Sequence, residues 1–384
     1  LRSVRGTGGG PEKTILTSAG LPGTGRFDVT VCYIRDRRDG VFAIGETARH
    51  LGPRYTEIVE RHSFDFGIWR RLRALVASRA IDIVHSHDYK TDLLAWLLGR
   101  SCGVVPLATA HGWTGHSRRE RWVYYPCDRW LLTRFPAVVA VSSDIKDTLV
   151  RSGTHPDRVR VVPNGVDARV FRRTPADHSA ARRLLGIDTD AFVIGAVGRL
   201  EPQKRFDLLL RAFGRVTQDC PNHGLLLAIA GEGSERPHLE HLASQFGLRN
   251  RLLLLGHRTD VITLHHAFDL FVQSSDYEGT SNALLEAMAL ETPIVATTAG
   301  GTTDLMRADE DGLLTPPGDV DMLAAAIRSA IDHPHASRKR AASARQRVER
   351  ELSFDVRMQK VEALYEQLTR MRDRPVPVSM VGNA

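Results

Sequence analysis

Two glutamates, Glu278 and Glu286, lie eight positions apart in the segment Tyr277-Glu278-Gly279-Thr280-Ser281-Asn282-Ala283-Leu284-Leu285-Glu286. An apolar run, Leu270–Gln273, comes before it and a helical period follows, so the segment reads as strand, turn at Gly279, then helix from about Ser281. A helix that opens there offers free backbone N–H groups and the positive end of its dipole, which suits a diphosphate. Along a helix axis eight steps of ~1.5 Å span about 12 Å, enough to set one carboxylate at a mouth and the other deeper. Such a pair fits a molecule with hydroxyls at both ends and phosphates in the middle. Two unrelated surface charges would give the same spacing.

Further candidates stand at other strand ends. Gly198-Arg199-Leu200-Glu201-Pro202-Gln203-Lys204 follows the apolar run Phe192–Val197. At the carboxyl end of a parallel strand, where open α/β sheets bind ligands, Arg199 and Lys204 are placed to neutralise a diphosphate leaving group. An ordinary basic loop would look alike. Gly231 and Gly233 flank Glu232 after Leu225–Ala230, and two close glycines let a backbone approach a ligand. They do not complete a dinucleotide fingerprint. In the first half, Gly6 to Gly10 open a helical stretch, which makes Gly9 and Gly10 an anion cradle or simply a loose start. His111 follows the strand Val104–Thr109. His85, His87 and Asp88 end the strand Ile81–His85, but no further grouping completes a metal site, so a strand-end role is expected. Asp188-Thr189-Asp190 has the D-x-D form of a metal site, yet it precedes a strand and reads as a solvated loop.

The elements that position these residues alternate. First-half strands are expected at Phe27–Ile34, Ile81–His85, Val104–Thr109, Ala137–Val141 and Val159–Val162, with helices at 68–78, 88–98, 118–134 and 144–152. Second-half strands are expected at Phe192–Val197, Leu225–Ala230, Leu252–Leu255, Leu270–Gln273 and Pro293–Ala296. Between them run helices at 205–216, 236–246, 261–267 and 282–290. Phe206, Leu209, Leu210 and Phe213 form one apolar stripe. Strand and helix in alternation predict parallel βαβ units, hence an α/β fold. The 384 residues exceed one ordinary core and predict two domains, with turn chemistry between Pro163 and Pro175 marking the join. From Pro317-Gly318 the chain is expected to be helical to about Met371, with a loose tail from Arg374.

Composition excludes several classes. A hydrophobic share of 42% argues against disorder. Four scattered cysteines show no metal or redox spacing and fit a reduced compartment. No apolar run approaches the ~20 residues of a membrane span, and no leader pattern is evident. The chain begins at Leu1, which suggests a truncated start. The formal charge of +7 is concentrated in clusters: Arg35, Arg37 and Arg38; Arg70, Arg71 and Arg73; Arg118, Arg119 and Arg121. These are either solvated helix ends or a surface for anionic lipid. An aromatic-rich basic strand or a recognition-helix pattern is missing, so a nucleic-acid-binding module ranks far lower.

Taken in order, the Gly8–Lys13 loop, Ala110-His111-Gly112, Val161 to Asp167, Gly198–Lys204, Ala230–Gly233, Glu278–Glu286 and Ala299-Gly300-Gly301 resemble the retaining glycosyltransferases of family 4 over nearly the whole chain. The resemblance implies a GT-B fold: two facing Rossmann-like, doubly wound parallel-sheet domains with a cleft between them. It divides the chain into an acceptor-side domain at 1–170 with a truncated first strand, a nucleotide-sugar domain at 171–350, and at 351–384 a helix crossing back plus the tail. It implies that Arg199 and Lys204 bind the donor diphosphate, Glu286 the ribose and Glu278 the donor sugar. Backbone amides from Gly279, Thr280, Asn282, Ala283 and Leu284 would approach phosphates and sugar. Gly198, Gly231 and Gly233 would line the donor. His111 would approach the transferred sugar, with Gly9 and Gly10 over the phosphates. The implied activity is sugar transfer from a nucleoside diphosphate sugar, UDP-linked among the options, to a sugar or lipid-linked acceptor in cell-surface polysaccharide, lipopolysaccharide or glycolipid assembly. No metal and no resident cofactor are expected, and no nucleic acid. The expected place is the cytoplasm, peripheral on the inner face of a membrane. Trp113, Thr114, His116, Arg118 and Trp122 are candidates to face the acceptor. A sugar-nucleotide epimerase of the same fold is the alternative reading.

Overall fold

The structure is a computed structural model that describes residues 1–4, 9–20, 26–62, 65–113, 118–220 and 223–372. Gly6, Gly8, Thr114, His116 and the tail from Arg374 lie outside the described residues. The chain forms two compact units. One comprises Leu1–Val141, Ile145–Val162 and the chain from Met358 onward; the other comprises Ser142–Asp144 and Pro163–Arg357.

In the first unit, β1 (Arg2–Val4), β2 (Val31–Asp36) and β3 (Tyr55–Glu60) pair in parallel in the order β1-β2-β3. A second parallel set holds β4 (Ile83–Ser86), β5 (Val105–Ala110), β6 (Ala137–Ala140) and β7 (Val159–Val161) in chain order. The terminal amine of Leu1 donates to the His85 carbonyl at 2.6 Å, which links β1 to β4. Strand order therefore reverses between β1 and β4, the topological switch point of a doubly wound sheet.

The truncated first strand is present, short but in register, with Arg2 opposite Tyr33. Two expectations need correction here. The strand expected at Phe27–Ile34 is shifted to Val31–Asp36, and Phe27 instead packs edge-on against Tyr365, with centroids 5.3 Å apart. The strand β3 was not foreseen, because Glu57 and Glu60 interrupt its apolar pattern.

The second unit holds β8 (Phe192–Val197), β9 (Leu225–Ala230), β10 (Leu252–Leu254), β11 (Leu270–Gln273), β12 (Ile294–Thr297) and β13 (Leu313–Thr315) in the order β10-β9-β8-β11-β12-β13. Every pairing is parallel. The strands are near-continuous apolar runs because helices cover both faces. Helix Phe206–Asp219 buries the predicted stripe, and also Leu208 and Ala212, since helix Val320–Asp332 packs on it with Leu323 and Ile327. Each such side chain contributes about 2 kcal/mol on burial. The helical stretch expected after Gly318 consists of Val320–Asp332, Pro334–Arg347 continuing as a π-turn to Leu352, and Phe354–Arg372. Pro334 can open a helix but cannot continue one. The last helix starts in the second unit and ends in the first, where Val361, Leu364 and Leu368 pack on Leu107, Val139 and Val162.

Candidate functional site

In the second unit strand order reverses between β8 and β11, and the loops leaving these two strands meet. From β8 the chain runs through Gly198 and Arg199 into a short turn, Pro202–Lys204, and then the helix at Phe206. From β11 it runs through Ser274 to Glu278. The two loops are stitched together: Asp276 N–H donates to the Gln203 carbonyl at 2.9 Å, and Ser274 Oγ to the Lys204 carbonyl at 2.8 Å. Arg205, held at φ 49°, bridges Asp207 at 3.0 Å and Asp276 at 2.9 Å.

This stitching brings Lys204 Nζ to 2.6 Å from Glu278 Oε1, which also accepts from Ser275 Oγ at 2.6 Å. The two side chains are only 16% and 7% exposed. A buried carboxylate and ammonium must be paired, because either alone would keep an uncompensated charge out of water. Glu278 is clamped from behind as well. Gly301 N–H donates to its carbonyl at 3.0 Å, and Gly300 sits at φ 48° with its Cα so near that a Cβ would fall 2.1 Å from that oxygen. The Ala299-Gly300-Gly301 turn thus fixes the loop that carries Glu278.

The helix expected from about Ser281 begins at Asn282 with Ser281 as its cap, so the eight helical steps counted between the glutamates do not apply. Glu278 belongs to the preceding turn, and only Glu286 is on the helix, where it is buried. Ser281 caps this helix by accepting from Leu284 N–H at 3.3 Å, so that amide already has a partner. Asn282 accepts from Asn164 Nδ2 at 3.0 Å, which ties the Pro163-Asn164-Gly165 turn to the same helix end. Burial, together with the charges of Asp144 and Glu278, pushes the Tyr277 phenol up to about 12.

Gly198 packs on the stem of Lys204. Arg199 is exposed, and its side chain makes no hydrogen bond or ion pair among the described residues, although its carbonyl accepts from Glu201 N–H at 2.8 Å. The Gly231–Gly233 loop packs against the loop that carries Arg199. A Cβ on Gly231 would fall 1.8 Å from the Gly198 carbonyl oxygen, and Leu200 N–H donates to the Glu232 carbonyl at 2.9 Å. The close backbone approach is to the neighbouring loop.

In the first unit, Gly9 N–H donates to Glu12 Oε2 at 2.6 Å, and Glu12 is buried against Arg2. The start of helix Gly10–Gly20 therefore already holds an anion. His111, at the end of β5, has its Nε2 3.2 Å from His87 Nδ1. The rings of His85, His87 and His111 stack in succession, with centroids 4.5 and 5.5 Å apart. Burial, then its imidazole neighbours, holds His87 well below its usual range, so it is neutral. Asp88 caps helix Tyr89–Cys102 in a capping box, the strand-end role expected. Asp188 and Asp190 are exposed in a turn, and no group of acids, histidines or cysteines among the described residues could hold a metal ion. Ser275, Asn164 and Arg205 were not foreseen; serine and asparagine in strand-end turns carry no signal until their partners are known.

The chain matches two family models, Glycosyl transferases group 1 over residues 177–347 and Glycosyltransferase Family 4 over residues 9–170. A glycogen synthase of Mycobacterium tuberculosis is 30% identical over 319 residues, covering 80% of this chain and 74% of the relative. An Escherichia coli UDP-Gal:alpha-D-GlcNAc-diphosphoundecaprenol alpha-1,3-galactosyltransferase is 28% identical over 267 residues, 68% of this chain and 69% of the relative. Among solved structures, Anabaena Alr3699/HepE in complex with UDP has a TM-score of 0.80 at 23% identity, over 95% of this chain and 98% of that one. The same protein in complex with UDP-glucose has a TM-score of 0.79.

Proposed function

The chain belongs to the family 4 glycosyltransferases of GT-B fold, and on that premise we propose that it transfers a sugar, with retained configuration and without a metal ion, from a nucleoside diphosphate sugar to an acceptor hydroxyl. The Lys204–Glu278 pair at the switch point of the second sheet carries this reading. Before the donor arrives, the two charges neutralise each other. A donor brings phosphate oxygens for the ammonium and hydroxyls for the carboxylate, so each group exchanges one partner for another and neither is left bare. Arg199, exposed and with no side-chain partner among the described residues, is a cation free to meet the diphosphate first.

In the reaction the bond from the anomeric carbon to the β-phosphate oxygen breaks, and the diphosphate keeps the electron pair. Arg199, Lys204 and the helix opening at Asn282 stabilise that developing charge. The acceptor oxygen bonds to the same carbon on the same face and gives its proton to the departing phosphate oxygen. Glu278 holds sugar hydroxyls, and Glu286 the ribose. The resemblance alone assigns Gly9 and Gly10 to the phosphates and His111 to the sugar. Relatives named for UDP-galactose, or solved with UDP-glucose, favour uridine as the base. One relative is named for a diphosphoundecaprenol-linked sugar, which supports a lipid-linked or polysaccharide acceptor.

A thermal-shift series with UDP, GDP and ADP, followed by assays of UDP release from UDP-sugars, tests the reading. UDP is expected to raise the melting temperature most. A protein indifferent to all three nucleotides overturns it.

A further inference from the structure

We propose that one face of the first unit, built from helix Tyr89–Cys102 and the helical run Glu120–Leu132, docks on an anionic lipid bilayer.

The face breaks the usual rule for water-exposed helices. Trp122 is 79% exposed and Trp130 57% exposed. With Pro126, also exposed, they recur every four residues and form one stripe along the run. On the neighbouring helix Tyr89, Leu93 and Leu97 recur in the same way and are likewise exposed. The Tyr89 and Tyr124 rings stack with centroids 5.2 Å apart and planes 12° apart, which sets the two helical segments side by side. Val123 adds to the apolar surface. Exposed apolar and aromatic side chains clustered on neighbouring helices mark a contact site.

Charge identifies the partner. Arg118, Arg119 and Arg121 stand exposed at the start of the run, and none of their side chains makes a hydrogen bond or ion pair among the described residues. Arg134 lies over the Trp130 ring, and Arg100 over the Trp96 ring. The run from Arg118 to Arg134 contains two acids, and one of them, Asp128, is buried. The face is thus outwardly cationic as well as apolar. Tryptophan and tyrosine settle at the headgroup level of a bilayer, arginine is drawn to anionic headgroups, and an apolar stripe on a helix lying flat enters the acyl boundary. A nucleic acid would use the aromatic rings and arginines but leave Leu93, Leu97 and Val123 in water; a bilayer accepts all of them. Arg118 and Trp122, candidates for the acceptor on sequence, are thereby assigned to lipid.

None of these residues lies in the second unit, so the proposal stands whether or not the donor reading holds. Vesicle flotation of the full chain tests it. Vesicles containing phosphatidylglycerol are expected to carry the protein, and vesicles of phosphatidylcholine alone much less; added salt should weaken the binding. Changing Arg118, Arg119 and Arg121 together to Ala should lower partitioning on the order of 100-fold, since each basic side chain near an anionic surface contributes about fivefold. Trp122→Ser with Trp130→Ser should lower it about tenfold and keep the salt dependence. Both variants alter exposed positions and should melt cooperatively, with any UDP-induced shift intact. Failure of the unaltered protein to float with anionic vesicles overturns the proposal, as does undiminished flotation of either variant. Binding of single-stranded RNA in place of vesicles, or self-association that the tryptophan changes abolish without any vesicle binding, also overturns it.

Discussion

The switch points of the two units lie between equivalent strands, β1 and β4 in the first and β8 and β11 in the second, yet their furnishings differ. In the first, the cation Arg2 is already spent on Glu12 and on the His87 carbonyl, and stacked imidazoles, with His87 held well below its usual range by burial, fill the neighbouring strand ends. In the second, Lys204 is balanced by Glu278 in a pair that a ligand can re-partner, and the Arg199 side chain has no partner among the described residues. The fold supplies the place twice, but among the described residues the second place has the greater cation capacity to offer a diphosphate. Site chemistry resides in the side chains mounted on a fold, not in the fold itself.

The largest effect should come from removing that capacity. Arg199→Ala combined with Lys204→Ala is expected to cut turnover roughly 10³-fold, the scale of losing preorganised stabilisation of developing charge. UDP release measures it. Activity near that of the unaltered protein would mean that the second switch point is no better furnished than the first.

Next comes the balance itself. Glu278→Gln strips the buried Lys204 of its counter-charge and should cost roughly 3 kcal/mol of stability, read from denaturant midpoints. UDP should then recover more stability in this variant than in the unaltered protein, because its phosphates replace the missing charge. Equal UDP shifts in both would show that Lys204 does not meet the phosphate.

The smallest effect concerns the first unit, which buries two acids, Asp92 and Asp128, side by side. Burial, then the charge of Asp128, pushes the Asp92 carboxyl well above its usual range, and Asp128 is itself raised by burial. Asp88 adds negative charge, against the Ser86 hydroxyl, the Trp113 indole and Arg129 on the other side. A carboxyl raised in the folded state binds its proton more tightly than in the unfolded chain. Its contribution is complete below ordinary carboxyl values near ~4 and is lost as pH rises through the folded value. Asp92→Asn keeps a donor toward Asp128 and should flatten this loss, so the variant gains relative stability above the carboxyl range. Urea midpoints at acidic and alkaline pH measure it; parallel curves would remove the buried acid pair from the comparison.

Much of the second unit was legible because β8, β9 and β11 are buried on both faces and announce themselves as apolar runs with sharp ends. Those ends placed Arg199, Lys204 and Glu278 at the ligand edge. The pairing of Lys204 with Glu278 was not legible, since 74 residues separate them and only the strand order brings β8 beside β11. The approach of Gly231 to Gly198 was hidden for the same reason. In the first unit, β3 escaped because its glutamates face partners such as Lys90 and Tyr55, which make charged positions tolerable in a sheet. The imidazole stack depends on three strand ends or loops whose proximity no spacing encodes.

Helix Phe354–Arg372 carries one further lesson, for anyone wishing to divide the molecule. The polypeptide passes from one unit to the other at Val162 and returns at Met358, so no single cut yields two intact halves. A fragment stopping at Val162 would present Leu107, Val139 and Val162 to water without Val361, Leu364 and Leu368, and should be prone to aggregate. Supplying the last helix as a separate peptide, or splicing it after β7 through a flexible tether, is the route to a stand-alone amino-terminal half.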